Sequence, residues 1–258
     1  MEALFHNLPR ALTVTDWNCW APRLGFAYNL GGNLKTVVLR GGFGITYERL
    51  EGNYLFNSSS QFPFTSVTNL LSVNLTNIAA AAGAAVQPNN ITNSHGPNLI
   101  PPRNLNWSFG IQQQLTPNTV FELNYVGSES NNLVWSQNLN QEPAGTKYAN
   151  PGVSSNTLRP YLGFQDIMQF VNGAVNNYNG LQAQLLKRMT NGGVARIAYT
   201  WSKNLTDEST FGTHPQNAFN LMGEYSQSND SEPQILVASY VYPLPFWLKG
   251  NEWYKKEL

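Results

Sequence analysis

The sequence predicts an all-β chain whose strands run antiparallel, up and down, in a single sheet. Three observations predict it. Apolar residues recur at every second position over segments longer than the roughly five or six residues usual for strands of soluble proteins. The connections between these segments alternate short and long. Tyrosines and tryptophans sort toward the two ends of the segments. Composition adds a constraint: 12% of the 258 residues are charged and the formal net charge is zero, where ordinary globular chains carry about 25% charged residues. Asn, Gln, Ser, Thr and Gly stand in place of charge. There is no basic surplus to bind nucleic acid and no acidic surplus to form a solvating tail.

The first strand candidate is PRLGFAYNL, with Leu24, Phe26 and Tyr28 on one face and Arg23, Gly25, Ala27 and Asn29 on the other. LGGNLK then turns the chain, Gly and Asn accepting the positive φ that a tight reversal needs. In KTVVLRGGFGITYERL, odd positions from Val37 to Tyr47 are mostly apolar, while the even face carries Arg40, Gly42, Gly44 and Thr46. Eleven residues of alternation suit a strand that crosses hydrocarbon at a tilt, which takes roughly 9–11 residues. NLNWSFGIQQQL sets Leu105, Trp107, Phe109 and Ile111 against Asn106, Ser108, Gly110 and Gln112, and TPN turns the chain with its proline. TVFELNYVG places Phe121, Leu123 and Tyr125 opposite Glu122 and Asn124, and NNLVWSQ is a possible prolongation. YNGLQAQLLKRM fits helix and strand about equally, because Leu181, Leu185 and Leu186 also have helical spacing. TNGG after it is a hairpin signal that favours strand. VARIAYTWS and QILVASYVY complete a set of about seven strands, and PLPFW bars further pairing. The intervening residues 48–103, 128–177 and 203–232 read as three long loops, with a short helix within Ile78–Val86.

In an up-and-down sheet this alternation gathers short turns at one end and long loops at the other, as in outer-membrane barrels. Tyr47, Trp107, Tyr125, Tyr178, Tyr199 and Trp201 fall toward the long-loop end, and Tyr28, Tyr240, Tyr242, Phe246 and Trp247 toward the other. These two sets are expected to lie at the two membrane–water interfaces. Arg40, Glu122 and Arg196 sit on the polar faces of their strands and are expected to line a lumen. The expected architecture is therefore a segment of a large transmembrane β-barrel, one partial barrel domain over residues 1–258, with short periplasmic turns and long extracellular loops.

Little in the sequence invites covalent chemistry, and no enzyme activity, cofactor or metal is expected. Cys19 has no partner for a disulfide and no histidine in a recognisable motif with it. TDEST, Thr206 to Thr210, places two carboxylates together but lacks the alternating acidic pattern of a calcium loop. Glu142, Asp166 and His214 read as loop residues without evident partners. RGGFG is followed by neither a helix nor the Lys-Ser/Thr pair of a phosphate loop. The N-terminal MEALFHNLPR is not a secretory signal.

The segments APRLGFAYNLGGNLKTVVLRGGFGITYERL, NWSFGIQQQLTPNTVFELNYVGS and NYNGLQAQLLKRMTNGGVARIAYTWSKNLTD resemble barrel segments of TonB-dependent receptors. The similarity is to the Oar-like group with a carboxypeptidase-regulatory-like N-terminal domain, and it extends from about Trp17 to Trp247. It implies a barrel of about 22 strands around an N-terminal plug, contact with outer-membrane lipid and with an inner-membrane energy-coupling complex, and uptake of an unidentified extracellular ligand. The plug and regulatory-like domain are not among these residues, and seven strands leave two bare edges, so the chain is expected to be an internal piece of such a barrel. Two other functions fit the pattern: a surface-binding or adhesive barrel that transports nothing, and a soluble β-sandwich that binds glycans through exposed aromatics.

Overall fold

The computed structural model describes residues 15–31, 36–57, 76, 89–96, 98–207 and 214–243. Nine strands form one sheet: β1 (Arg23–Asn29), β2 (Val37–Tyr47), β3 (Asn89–His95), β4 (Arg103–Thr116), β5 (Thr119–Asn138), β6 (Phe164–Arg188), β7 (Val194–Thr206), β8 (Ser226–Gln227) and β9 (Gln234–Val241). Seven of them, β1, β2, β4, β5, β6, β7 and β9, pair antiparallel with their neighbours in that order. The short connections after β1, β4 and β6 lie at one end of this meander, and the long ones at the other. Gly192 supplies the positive φ (87°) that the β6–β7 turn requires.

YNGLQAQLLKRM is strand, not helix. Its leucines at 181 and 185 share a face of a strand as readily as a face of a helix, and pairing with β5 and β7 on both sides decides between them. The expected loop 128–177 is corrected to 139–163, because β5 runs for 20 residues and β6 for 25. NNLVWSQ does prolong the strand. The period-two pattern fails there because both strands bulge: the register shifts between Ser130 and Leu133 and again between Leu133 and Val134. Asn132 adopts a left-handed φ of 59° and Gly173 a φ of 139° at these points. A bulge adds a residue to one strand, so the face on which side chains fall switches beyond it.

The expected loops 48–103 and 203–232 also contain strands. β3 pairs parallel with β6 along the edge that β7 leaves free, and β8 makes a short ladder with the end of β7. A one-turn helix, α1 (Asn53–Phe56), precedes β3. The expected helix within Ile78–Val86 and the aromatics Phe246 and Trp247 lie outside the described residues.

The buried apolar side chains are not beneath the seven-stranded wall but around the part of the β5–β6 hairpin that projects past it. Leu99, Trp135, Met168, Phe170, Ala174 and Ala218 form this core. Two segments cover opposite sides of the hairpin. On one side Tyr54 packs edge-on against Phe170 at 5.0 Å, and Asn172 clamps the strap 98–102: its Oδ1 accepts from Ile100 N–H (2.8 Å) and its Nδ2 donates to Ile100 O (2.9 Å). On the other, Gln137 Nε2 donates to Ala218 O at 2.8 Å. By contrast β1 and β9 are exposed along their whole length. A single-layer wall of this kind needs a medium other than its own core to cover its apolar face.

Candidate membrane face and lumen wall

Strand pairing settles which side chains share a face, because partners in register point the same way. One face runs through Tyr28, Leu39, Ile111, Leu123, Ala183, Tyr199 and Leu236. The next rung toward the long loops is Phe26, Gly41, Phe109, Tyr125, Leu181 and Trp201. Two glycines of this face receive aromatic rings: Phe26 lies over Gly41, and Trp107 lies over Gly127 in the rung beyond. These side chains stand in the open, Phe26 at 55% and Leu236 at 70% exposure. Along β4 this face extends from Leu105 to Leu115, interrupted by Gln113. Ten steps of about 3.4 Å, tilted by about 40°, give a height of about 25 Å, the height of the lipid-facing band of an outer-membrane barrel.

The aromatic residues of this face are not level across the rungs. The topmost ring is Tyr47 on β2, Trp107 on β4, Tyr125 on β5 and Trp201 on β7, each at or below the rung of the one before. From Tyr47 to Trp201 the descent is three rungs, about 20 Å, over four interstrand spacings totalling about 19 Å. A level membrane surface crossing the sheet on that diagonal requires strands tilted by about 45°, at the upper end of the range for such barrels. Tyr28 on β1 and Tyr240 and Tyr242 on β9 descend in the same sense.

Tyr47, Trp107, Tyr125, Tyr199 and Trp201 thus share the apolar face. Tyr178 does not, and is corrected: it pairs with Ser128 and Asn204 on the opposite face. Its end of the strand suits an interfacial ring, yet it lies an odd number of residues from Leu181, so strand geometry turns it the other way.

The opposite face is polar, with uncharged side chains in the majority. One rung reads Arg40, Gly110, Asn124, Gln182 and Thr200, and the next Val38, Gln112, Glu122, Gln184 and Ala198. Arg40, Glu122 and Arg196 all belong to it. Arg196 Nε and Nη2 donate to Gln184 Oε1 at 3.0 and 2.5 Å, and Gln184 stands in register beside Glu122. The amide of Asn124 occupies the space that a side chain at Gly110 would fill.

Beyond the wall, a polar knot that the period-two pattern gives no signal for closes the β5–β6 hairpin. Asn140 is fully buried. Its Nδ2 donates to the carbonyls of Tyr161 (3.0 Å), Phe164 (3.2 Å) and Gln165 (2.7 Å), and its Oδ1 accepts from Tyr161 N–H at 2.7 Å. Arg159 Nη1 donates to Asn140 O (2.8 Å) and to Asp166 Oδ1 (2.7 Å), and Asn138 Nδ2 donates to the same carboxylate oxygen (2.8 Å). Burial alone would raise the Asp166 carboxyl. The hydrogen bonds from Arg159 and Asn138, with the charges of Arg159 and His214, outweigh it and hold the group below its ordinary value. Because the folded value is depressed, the stabilisation is complete above the ordinary aspartate range and is lost as pH falls through the depressed value. Protease resistance of residues 139–163 should therefore hold from neutral pH down to that range and fall below it. Asp166→Asn should flatten that acid limb, and an unchanged limb would contradict the assignment.

Asp207, from the TDEST pair, is buried at the end of β7 and accepts from Val175 N–H at 2.7 Å. Burial raises its carboxyl despite that bond. Its neighbour Glu208 lies outside the described residues. Among the described residues no three His, Cys, Asp or Glu side chains converge as a metal site would need, and no helix is long and apolar enough to cross a membrane, which leaves strands as the spanning elements to consider.

No curated protein matches the sequence. The family model described as outer membrane beta barrel domain matches residues 3–258. Its strands carry an apolar band on one face and a polar wall on the other, and the chain belongs to the outer membrane beta barrel domain family.

Proposed function

We propose that the chain is part of the barrel wall of an Oar-like, TonB-dependent receptor of the outer membrane, serving energised uptake of an extracellular ligand. The reading rests mainly on the inner face. Asn, Gln, Ser and Thr line it, and Gly42 and Gly44 hold back side-chain volume on β2, which suits close approach of a plug. The width of the sheet agrees: seven strands meander without closing, and the outer edges of β1 and β9 have no partner among the described residues. A barrel whose wall is this broad encloses a wide lumen. Its work is passage and gating rather than covalent chemistry.

The sequence resemblance supplies the energised step, and two measurements on the whole gene and protein test it. The coding sequence around this chain should encode a plug and an energy-coupling segment. Cross-linking the full-length protein in its native membrane should trap the inner-membrane coupling complex. A gene without a plug, or a protein that traps no coupling partner, would replace uptake by surface binding. The latter reading has one observation of its own: Tyr148 stands 93% exposed on the loop that tips the β5–β6 hairpin.

A further inference from the structure

We propose that the outer face carries a binding site for an outer-leaflet glycolipid with two phosphates, laid level with the membrane surface between Arg103 and Lys203. Both residues belong to the apolar face, on the extracellular side of its aromatic line. Arg103 on β4 shares a rung with Tyr47 and Asn131, and Lys203 on β7 follows Trp201. Lys203 lies two rungs nearer the short turns, about 14 Å along the strands, and three interstrand spacings away, about 14 Å across. On strands tilted by about 45° these two displacements cancel in height, so the two cations are level and about 20 Å apart. Lys203 stands about 5 Å, and Arg103 about 10 Å, outside the tryptophan of its own strand, within side-chain reach of a headgroup layer roughly 5–8 Å thick.

Three donors along this line lack acceptors. Neither Arg103 nor Lys203 makes a side-chain hydrogen bond or ion pair among the described residues, and Arg103 Nε is enclosed as well as unpaired. The third donor is an amide on β6, between the cations. Tyr125 Oη donates to Asn179 Oδ1 (2.5 Å) and Asn179 Nδ2 donates to Asn177 Oδ1 (2.5 Å). The chain of bonds therefore ends on Asn177 Nδ2, which has no acceptor among the described residues. Glu129, in the rung of Asn177, already accepts from Asn131 Nδ2 at 2.9 Å. A line of free donors with two positive charges against one carboxylate suits an acceptor-rich anion, and phosphate accepts from guanidinium, ammonium and amide alike. The apolar band directly beneath can take acyl chains, which makes the phosphates those of a lipid. The span between the cations exceeds a single phosphodiester headgroup and suits a sugar headgroup phosphorylated at both ends.

The inference rests on this face being the membrane wall but not on energised uptake, so a protein that traps no coupling partner can still bind the lipid. Native mass spectrometry of the full-length protein in non-ionic detergent, titrated with diphosphoryl or monophosphoryl lipid A, tests it. Diphosphoryl lipid A should bind about tenfold more tightly than the monophosphoryl form, as expected for one more charged hydrogen-bonded contact. Arg103→Gln and Lys203→Gln should each remove about that preference, and Lys203→Arg should keep it. Lys187→Gln, on the same face but at the short-turn end beside Thr119 and Ala195, should leave binding unchanged. The proposal is overturned if the two lipids bind equally, if both glutamine variants at 103 and 203 keep the preference, or if Lys187→Gln weakens binding as much as they do.

Discussion

Leu123→Arg should destabilise the folded, inserted barrel by about 2–4 kcal/mol, while Gln182→Arg should cost well under half of that. Leu123 lies between Ile111 and Ala183 in the middle of the apolar band, where a guanidinium would have to leave water for hydrocarbon. Gln182 sits on the adjacent strand, one residue toward the long loops and facing the other way, beside Asn124 and Thr200. An arginine there can keep its hydration and join a row that already contains Arg40. Two neighbouring positions with opposite outcomes separate a membrane wall from a soluble sheet. Denaturant unfolding of the full-length protein reconstituted in lipid gives the two values, and equal costs would contradict the assignment of faces.

Asn140→Ala should release the loop at the tip of the β5–β6 hairpin while leaving the wall intact. The side chain shares its two amide hydrogens among three carbonyls and accepts one bond, all with backbone groups of residues 161–165. A buried polar group left without its partner costs about 1–3 kcal/mol, and water entering the opened loop recovers part of that, so a local loss of about 2–4 kcal/mol is expected. Hydrogen exchange should speed up across residues 139–163 and stay unchanged in Leu181–Leu185. A uniform effect on both regions would mean that the hairpin tip and the wall unfold as one unit.

The wall was legible in the sequence because its physics is periodic. Val37–Tyr47 and Leu105–Leu115 alternate, their turns carry Gly, Asn and Pro, and pairing partners follow from the order of the strands. The helix-or-strand ambiguity of residues 178–189 had a physical source: spacing by four puts Leu181 and Leu185 on one face of either element. Neighbouring strands decide it, and a segment read alone does not contain them. The upper half of the β5–β6 hairpin was hidden because the bulges at Asn132 and Gly173 invert the alternation, so the period-two signal of each strand ends there.

β3 was hidden for another reason. It pairs parallel, with two register shifts in seven residues, and its sequence NNITNSH carries a single large apolar side chain. The Asn140 knot likewise depends on backbone carbonyls brought together by the fold, and asparagine is an ordinary loop residue until those partners are placed. Tyr178 shows the reverse failure. Its type and end of strand fit an interfacial ring, and its parity with Leu181 places it on the polar face.

The most direct test of the account is the accessibility of spin labels placed singly from Leu181 to Leu185 in the full-length protein in lipid vesicles. Labels at 181, 183 and 185 should collide with oxygen, which concentrates in hydrocarbon, and labels at 182 and 184 with a polar nickel chelate if the lumen is open, or with neither if a plug covers them. Oxygen accessibility that fails to alternate, or that peaks at Gln182 and Gln184, would contradict a membrane wall with this face toward lipid.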